Sequence, residues 1–188
     1  MAYTYKPFVG AFWPTNGSTD DVMIRLPTAF YTNIQGILDA DVYQTNLIRL
    51  TKAMRTDAKQ PAQFIGAAQN IPHMAGLFPE GTEFLHTVRY INPTNPNPIS
   101  TRMKEVRYMR KFQHLTVNAI KARYRYEAQE KSDGMLPEMN GTPENGYDNG
   151  FGWRLQAFIE DEQGRLRLQT REEHLYCLGC HKSVGVTL

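Results

Sequence analysis

The sequence predicts an α+β fold in which an antiparallel β-sheet packs against a few helices. Large apolar residues occur in both alternating sets of residues 83–91, which is typical of a strand buried on both faces. Residues 153–168 alternate on either side of an acidic, glycine-containing turn at 161–164, which predicts a β-hairpin. A helix is predicted at 41–55, because apolar residues recur there at three- and four-residue spacing. This periodic set consists of Tyr43, Leu47, Leu50 and Met54.

The N-terminal part of the chain is the least regular. Residues 1–20 are rich in aromatic residues, Gly, Pro and Asn and have no clean period. Residues 19–21 suit the cap of a short helix that ends before Pro27, but a short strand at 22–26 fits as well. Residues 61–74 predict a second short helix followed by a turn.

Three further segments follow the first strand. Residues 103–112 alternate and predict a second strand that pairs with the first, although their charges suit a helix nearly as well. Residues 116–131 predict an amphipathic helix. Its apolar face would consist of Val117, Ile120, Tyr124 and Ala128. Residues 132–151 are full of Gly, Asn, Pro and Glu and predict a long loop.

The last predicted element carries both cysteines of the chain. Thr170 and Glu173 have the spacing of a capping box, which predicts a helix that begins directly after Thr170. The C-x-x-C-H unit of Cys177, Cys180 and His181 follows on that helix. Because Cys177 and His181 are four residues apart, we expect them on one face with Cys180 beside them.

The C-x-x-C-H unit is typical of a c-type haem attachment site. Two thiols at this spacing can form thioether bonds to one haem, and the adjacent histidine can ligate the iron from the proximal side. A structural zinc site needs about four ligands, and the chain has no other cysteine. The predicted elements also lack the βαβ setting of a thioredoxin-type dithiol. The sequence therefore predicts one covalently attached haem c on a helix at the C-terminus.

Charge and hydropathy limit the partners and the location. With 21 basic and 19 acidic residues the net charge is +2. The sequence has no dense basic tract of the kind that would indicate nucleic acid binding. No run reaches the roughly 18 apolar residues of a membrane span, and the first residues lack the pattern of a signal peptide. Because thioether attachment normally takes place outside the cytoplasm, we expect a periplasmic or other extracytoplasmic protein whose leader lies upstream of the sequence given.

A chain of 188 residues with 41% hydrophobic residues can bury a substantial core. We expect residues 1–75 to form an irregular and helical extension and residues 76–188 to form a sheet-based haem c domain. A single compact unit is the alternative. The chain could also form a homo-oligomer, or be the haem-bearing module of a larger assembly.

The order of motifs in the second half is similar to that of a known haem family. Residues 78–82 precede the first strand, Met109–Lys111 lie on the second, Gly152 and Trp153 open the hairpin, and C-x-x-C-H closes the series. Over roughly residues 75–188 this order resembles the monohaem cytochromes of the P-460 type and the cytochromes c-prime-beta. The resemblance implies a mostly antiparallel sheet around one c-type haem. It also implies either hydroxylamine oxidation by a lysine-linked haem or binding of a small gas such as nitric oxide at a five-coordinate iron.

The open side of the iron would be formed by earlier residues. The resemblance makes His86 the first distal candidate, and Arg89 on the opposite face of the same strand could bind a ligand or a haem propionate. The candidates for a sixth iron ligand are His86, His114, Met103 and Met109, with Met135 and Met139 as further thioethers. A packed histidine, a locally paired arginine or a gap-filling methionine is the structural alternative in each case. The strand after Gly81 has no lysine, so a cross-link would have to come from Lys104 or Lys111.

Two functions follow from these candidates. In the first, the protein binds or converts a small nitrogen-oxide or peroxide-like ligand, and any enzyme activity is that of an oxidoreductase. In the second, the sixth position is closed and the protein exchanges electrons with a redox partner protein. The sequence favours the first, because no methionine or histidine lies in a recognisable sixth-ligand motif. His73 and His174 receive no role.

Overall fold

The computed structural model describes residues 3–4, 18–54, 62–74 and 76–182, with the backbone alone at 3–4, 18–20 and 177–181. Within these residues, eight strands form one antiparallel sheet that is accompanied by three α-helices. The predicted α+β class, with an antiparallel sheet and a few helices, is confirmed. None of the described helices is both long enough and apolar enough to span a membrane.

The strands occur in the sheet in the order β1-β2-β3-β4-β7-β6-β5, and β8 pairs with β7. Their bounds are β1 Tyr3–Thr4, β2 Ser18–Arg25, β3 Glu83–Ile91, β4 Ile99–Lys111, β5 Asn140–Thr142, β6 Gly146–Asp148, β7 Trp153–Glu160 and β8 Leu166–Leu168. The helices are α1 Ala40–Met54, α2 Val117–Ser132 and α3 Arg171–His181. The predicted strands at β3 and β4, the hairpin β7–β8 and the helix α1 are confirmed.

The sheet includes a strand from the N-terminal part of the chain. Residues 18–25 form β2, so the short helix suggested at 19–21 is wrong and the alternative strand is correct. In β2, Ile24 lies opposite Phe84 of β3. Helix α1 follows because Asp39 caps it: its Oδ1 accepts hydrogen bonds from the backbone N–H of Asp41 (2.9 Å) and Val42 (3.1 Å).

The main hydrophobic core joins residues from both sides of position 75. Its buried members are Ile24, Leu26, Phe30, Tyr43, Leu50, Phe64, Ala68, Phe78 and Trp153. The Tyr43 hydroxyl accepts a hydrogen bond from Leu26 N (3.0 Å) and donates one to Ile24 O (3.3 Å). A buried phenol needs such partners, and these two bind α1 to the end of β2. The sheet and its core therefore draw on residues 1–75 and 76–188 alike.

Helix α2 has the predicted bounds but not the predicted orientation. Its N-cap is Thr116, whose side chain accepts a hydrogen bond from Ala119 N (3.2 Å). Val117 is 64% exposed, whereas Glu127 and Glu130 are buried. The prediction of a buried apolar face was wrong, because the buried face of α2 carries two glutamates: Glu127 pairs with Lys131 of the same helix, and Glu130 pairs with Lys182 beyond it.

One other local prediction was wrong, and another was confirmed in its coarse form. The predicted long loop at 132–151 contains the short strands β5 and β6, which extend the sheet beyond β7. These strands pair closely because Gly141 lacks a side chain: a Cβ there would lie 2.2 Å from the Gly146 carbonyl oxygen. The short helix predicted in residues 61–74 is a 3-10 helix of three residues at Gly66–Ala68, followed by a turn. Gly66 has a φ of 66°, which favours glycine and does not fit an α-helix.

Candidate functional site

Helix α3 carries the C-x-x-C-H unit, and its start is defined by the predicted capping box. Thr170 Oγ1 accepts a hydrogen bond from Glu173 N (3.3 Å), and Glu173 Oε2 accepts one from Thr170 N (2.7 Å). Arg167 forms two hydrogen bonds of 2.8 Å to the Glu173 carboxylate, and these contacts lower the pKa of Glu173 to about 2. The helical backbone continues through Cys177 to His181. The side chains of Cys177, Cys180 and His181 lie outside the described residues.

The end of α3 is held by buried polar contacts directly after His181. Lys182 Nζ lies 2.9 Å from Glu130 Oε2, and both side chains are buried. The Lys182 carbonyl oxygen accepts a hydrogen bond from Asn149 Nδ2 (3.2 Å). We call Glu130, Asn149 and Lys182 the Lys182 cluster. It links the residue after the attachment motif to α2 and to the segment before β7.

The start of α3 packs against the sheet through His174, three residues before Cys177. The His174 and Tyr147 rings have centroids 4.8 Å apart, and His174 Nδ1 lies 3.3 Å from Thr170 O. Burial lowers the pKa of His174. Its Nε2 is buried and has no hydrogen-bond partner in the described part of the chain. No role was predicted for His174, which proves to be a contact between α3 and the sheet.

Exposed apolar side chains occur on α3 and in the loop that follows α2. Tyr176, the residue before Cys177, is 90% exposed. Met135 and Leu136 are also exposed, in the loop that leads to Met139. The Met139 carbonyl oxygen lies 3.4 Å from Arg171 Nη2 of α3, which brings that loop to the helix. Exposed apolar groups of this kind mark surfaces that another group can cover.

His86, the first distal candidate, lies in the middle of the sheet. It is opposite Arg107 of β4, which is opposite Ala157 of β7. The Ala157 carbonyl oxygen accepts a hydrogen bond from Gln169 N (2.9 Å), two residues before α3. Residues opposite one another in antiparallel strands share a face, so His86 is on the row that reaches the beginning of α3.

The other candidates on β3 and β4 have local contacts. Arg89 Nη1 lies 3.5 Å from Ser100 O and 3.4 Å from Thr101 O, beside a bulge in the β3–β4 ladder. Met103 is opposite Arg89 at this bulge. Met109 packs against the main hydrophobic core, as a gap-filling methionine would.

His114 lines a cavity of about 330 Å³ between α1, the segment around Phe64 and the end of β4. Its backbone N–H donates to Glu80 Oε1 (2.7 Å). Burial, together with the nearby Lys111, lowers the pKa of His114. His73 lines the same cavity, and its ring stacks on Phe64 at a centroid distance of 3.8 Å. Neither His73 nor His114 is brought to α3 by a described contact.

Lys111 is a buried cation next to this cavity. It is 2% exposed, and its Nζ lies 5.1 Å from the centroid of the Trp153 ring. Burial lowers the pKa of Lys111 to about 8, and the negative charge of Glu80 opposes that shift. Across the described ranges, no carboxylate is within ion-pair distance of Nζ. From the sequence, Lys111 was a candidate only for the cross-link to haem. Its burial could not be inferred, because it alternates with charged neighbours.

No group of three or more His, Cys, Asp or Glu residues suited to a metal ion occurs among the described side chains. The candidate site is the helix that carries C-x-x-C-H, with the Lys182 cluster at its end. Lys182 follows the motif in the sequence, but nothing in the sequence pairs it with Glu130 or Asn149, which are distant along the chain.

Fold and site together define an α+β sheet protein whose last described helix carries a C-x-x-C-H unit. A protein-family model described as "-like lipoprotein" matches residues 1–187, so the chain belongs to this lipoprotein family. An "Uncharacterized lipoprotein" of Aquifex aeolicus (strain VF5) is 34% identical over 200 residues, which cover 99% of this chain and 34% of the relative. The chain thus spans about a third of the relative's length. No solved structure matches the chain significantly. A lipoprotein family fits the extracytoplasmic location expected from the sequence.

Proposed function

We propose that this chain holds one haem c through Cys177 and Cys180, with His181 as the proximal iron ligand. The observation that carries the proposal is that the whole C-x-x-C-H unit lies on one helix, α3, with a fixed beginning and end. The donor types fit the group: two thiols can form the thioether bonds, and an imidazole can ligate iron. When bound, the haem would supply an iron centre that exchanges electrons or binds a small ligand.

The residues around the motif support this assignment. The Lys182 cluster orients the end of α3, and a rigid support of this kind keeps an iron-ligating histidine in position. The exposed side chain of Tyr176, directly before Cys177, is suited to contact a porphyrin, which would cover it. Similarity to the P-460 and c-prime-beta cytochromes remains part of the proposal, and the antiparallel sheet followed by an attachment helix supports it.

We infer that the protein binds or converts a small nitrogen-oxide or peroxide-like ligand in an extracytoplasmic compartment such as the periplasm. Supporting this, Met109 packs against the main core, and His114 lines a cavity whose described lining includes no residue of α3. An iron with an open sixth position is available to small ligands. Arg89 has backbone carbonyl partners of its own and is less suited to bind the ligand.

The alternative is an electron-transfer cytochrome with a six-coordinate haem, in which the chain is a module of a longer lipoprotein. This alternative is supported by the position of His86. It lies in the row of paired residues across β3, β4 and β7 that reaches the beginning of α3. The greater length of the Aquifex aeolicus relative also favours a module.

The first experiment is expression with an export leader in a host with a c-type haem maturation system. We expect a c-type pyridine haemochrome spectrum with one haem per chain, lost in Cys177→Ala and retained in the matched control Glu172→Gln on the same helix. A folded, exported protein without covalent haem would refute the proposal.

Ferrous spectra with carbon monoxide or nitric oxide then separate the two functions. A low-spin spectrum that does not change on addition of either gas favours electron transfer. In that case His86→Ala should remove the sixth ligand and allow the iron to bind the gases.

A further inference from the structure

The turn that precedes α1 exposes three large aliphatic side chains. Ile34, Ile37 and Leu38 are 67%, 63% and 63% exposed. We call residues 33–38 the Ile37 turn. A single exposed apolar residue is ordinary on a protein surface, whereas three within five positions mark a place that another group can cover.

The Ile37 turn has a fixed shape and projects from the body. Asn33 Oδ1 accepts hydrogen bonds from the backbone N–H of Gln35 and Ile37, each at 3.0 Å. The Asn33 backbone accepts a bond from Gly36 N (3.0 Å) and donates one to Ile37 O (2.9 Å). Beyond the adjacent residues, no described atom lies within 4 Å of the place that a Cβ of Gly36 would take. The tip therefore stands clear of the described part of the chain.

The same bonds adapt the backbone of the turn to a place with little water. The N–H groups of residues 33, 35, 36 and 37 all donate within the turn. An N–H group without a partner is costly where water is excluded. The turn can therefore enter the boundary between lipid headgroups and acyl chains with most of its donors already bonded.

No charged residue of the turn would have to enter that boundary. Between Arg25 and Asp39 the chain has no Asp, Glu, Lys, Arg or His. Arg25 pairs with Glu83, and the Asp39 carboxylate caps α1. Asp41 is exposed, and the next basic residue is Arg49. The nearest charges after the turn are acidic, which favours an uncharged lipid surface over an anionic one.

Membership of the lipoprotein family indicates what covers this surface. A lipoprotein carries lipid, which holds the protein at a membrane. A projecting aliphatic turn can penetrate a bilayer interface, whereas a protein partner would need a matching hollow. We propose that the Ile37 turn inserts into the interface of a lipid bilayer, with Ile34, Ile37 and Leu38 at the headgroup–acyl boundary. This inference goes beyond the proposed function and does not depend on bound haem.

The test is co-sedimentation of the full chain with phosphatidylcholine vesicles, titrated to millimolar lipid. We expect binding that rises with lipid, does not weaken in high salt and is not increased by phosphatidylglycerol. Ile37→Ser/Leu38→Ser should lower the partition coefficient about tenfold or more, because two aliphatic groups no longer leave water. The matched control Ile48→Ser/Leu136→Ser changes the same residue types at exposed positions outside the turn and should bind like the parent.

A second measurement locates the turn in the bilayer. Ile37→Trp adds a fluorophore to the turn, and bromine-labelled lipid should quench the added fluorescence. Leu136→Trp is the control, and its added fluorescence should not be quenched. This comparison decides the matter if the serine variant fails to fold.

Four outcomes would overturn the proposal. The first is a parent chain that does not bind the vesicles, and the second is an equal loss of binding in the turn variant and its control. The third is binding that needs phosphatidylglycerol and low salt, which would be electrostatic adsorption. The fourth is a parent dimer that Ile37→Ser/Leu38→Ser converts to a monomer in sedimentation velocity without lipid, which would make a second copy the occupant.

Discussion

Lys182 and Glu130 form a buried ion pair, with Nζ 2.9 Å from Oε2, one residue after the attachment motif. They are 52 residues apart in the chain, so the pair links α2 to the end of α3. A buried charge is stable only when its partner is present, and this makes the position of α3 dependent on α2.

Removing the cation should destabilise the fold strongly. In Lys182→Met, Glu130 is left buried without its partner, so we expect the free energy of unfolding to fall by about 3 kcal/mol. Urea denaturation of the full chain measures this. Arg165→Met removes the exposed pair with Asp161 and should lower the free energy of unfolding far less than Lys182→Met. The double variant Lys182→Met/Glu130→Leu should recover part of the loss, and equal stability of Lys182→Met and the parent would contradict the prediction.

Asn149 should be nearly as important as Lys182. Its Oδ1 accepts hydrogen bonds from Phe151 N (2.9 Å) and Trp153 N (3.1 Å), and its Nδ2 donates to Lys182 O. Asn149→Ala leaves these buried groups unpaired, so we expect a loss of about 2–4 kcal/mol in thermal or urea unfolding. Asn145→Ala, an exposed asparagine in the β5–β6 turn, is the matched control and should be near neutral. A loss as small as that of the control would refute this role.

The Arg167–Glu173 pair should set part of the acid stability. Its contacts lower the pKa of Glu173 from 4.5 to about 2. Because the pKa is lower in the folded protein, the stabilisation is present above pH 4.5 and is lost as the pH falls towards 2. Because solvent screens this exposed pair, Arg167→Gln should lower stability only slightly at pH 7 and flatten the stability profile between pH 4.5 and 2. Urea midpoints across that range test this, and an unchanged slope would count against it.

Lys111 should oppose folding at neutral pH. Burial lowers its pKa from 10.5 to about 8, so between these values the unfolded chain binds more protons than the folded protein. The destabilising effect of Lys111 should therefore decrease, and the free energy of unfolding should rise, as the pH increases from 8 to 10.5. Lys111→Met should be about 2 kcal/mol more stable at pH 7 and lack that rise. Lys52→Met, on the exposed side of α1, should preserve the rise. A less stable Lys111→Met that retains the rise would disprove the assignment.

Local patterns predicted the elements whose signals lie within a few residues. The alternation in β3, the periodicity of α1 and the capping box of Thr170 and Glu173 were sufficient, because each depends on neighbouring backbone groups or side chains. Strands β5 and β6 have only three residues each, too few for a period to be recognised. The buried face of α2 was mispredicted because burial depends on the tertiary contacts of the helix. Here Glu130 of α2 forms an ion pair with Lys182.

The cavity could not be predicted from the sequence either. His73 and His114 are 41 positions apart, and they line the same space only because α1, the Phe64 segment and the end of β4 meet there. A single histidine in an irregular segment carries no signal of its environment. Only the packed structure distinguishes these buried Nδ1 atoms, which have no partner among the described residues, from the solvated nitrogens of a surface imidazole.

The sequence by itself determined the C-x-x-C-H unit, the helix that carries it and the antiparallel character of the sheet. These follow from covalent chemistry and from hydrogen bonds between residues close in the chain. The tertiary structure alone decided that Lys182, directly after the motif, is buried against Glu130 and Asn149, and that two histidines share an apolar cavity. Such contacts join residues far apart in the chain, and their energies exist only once packing has removed the groups from water.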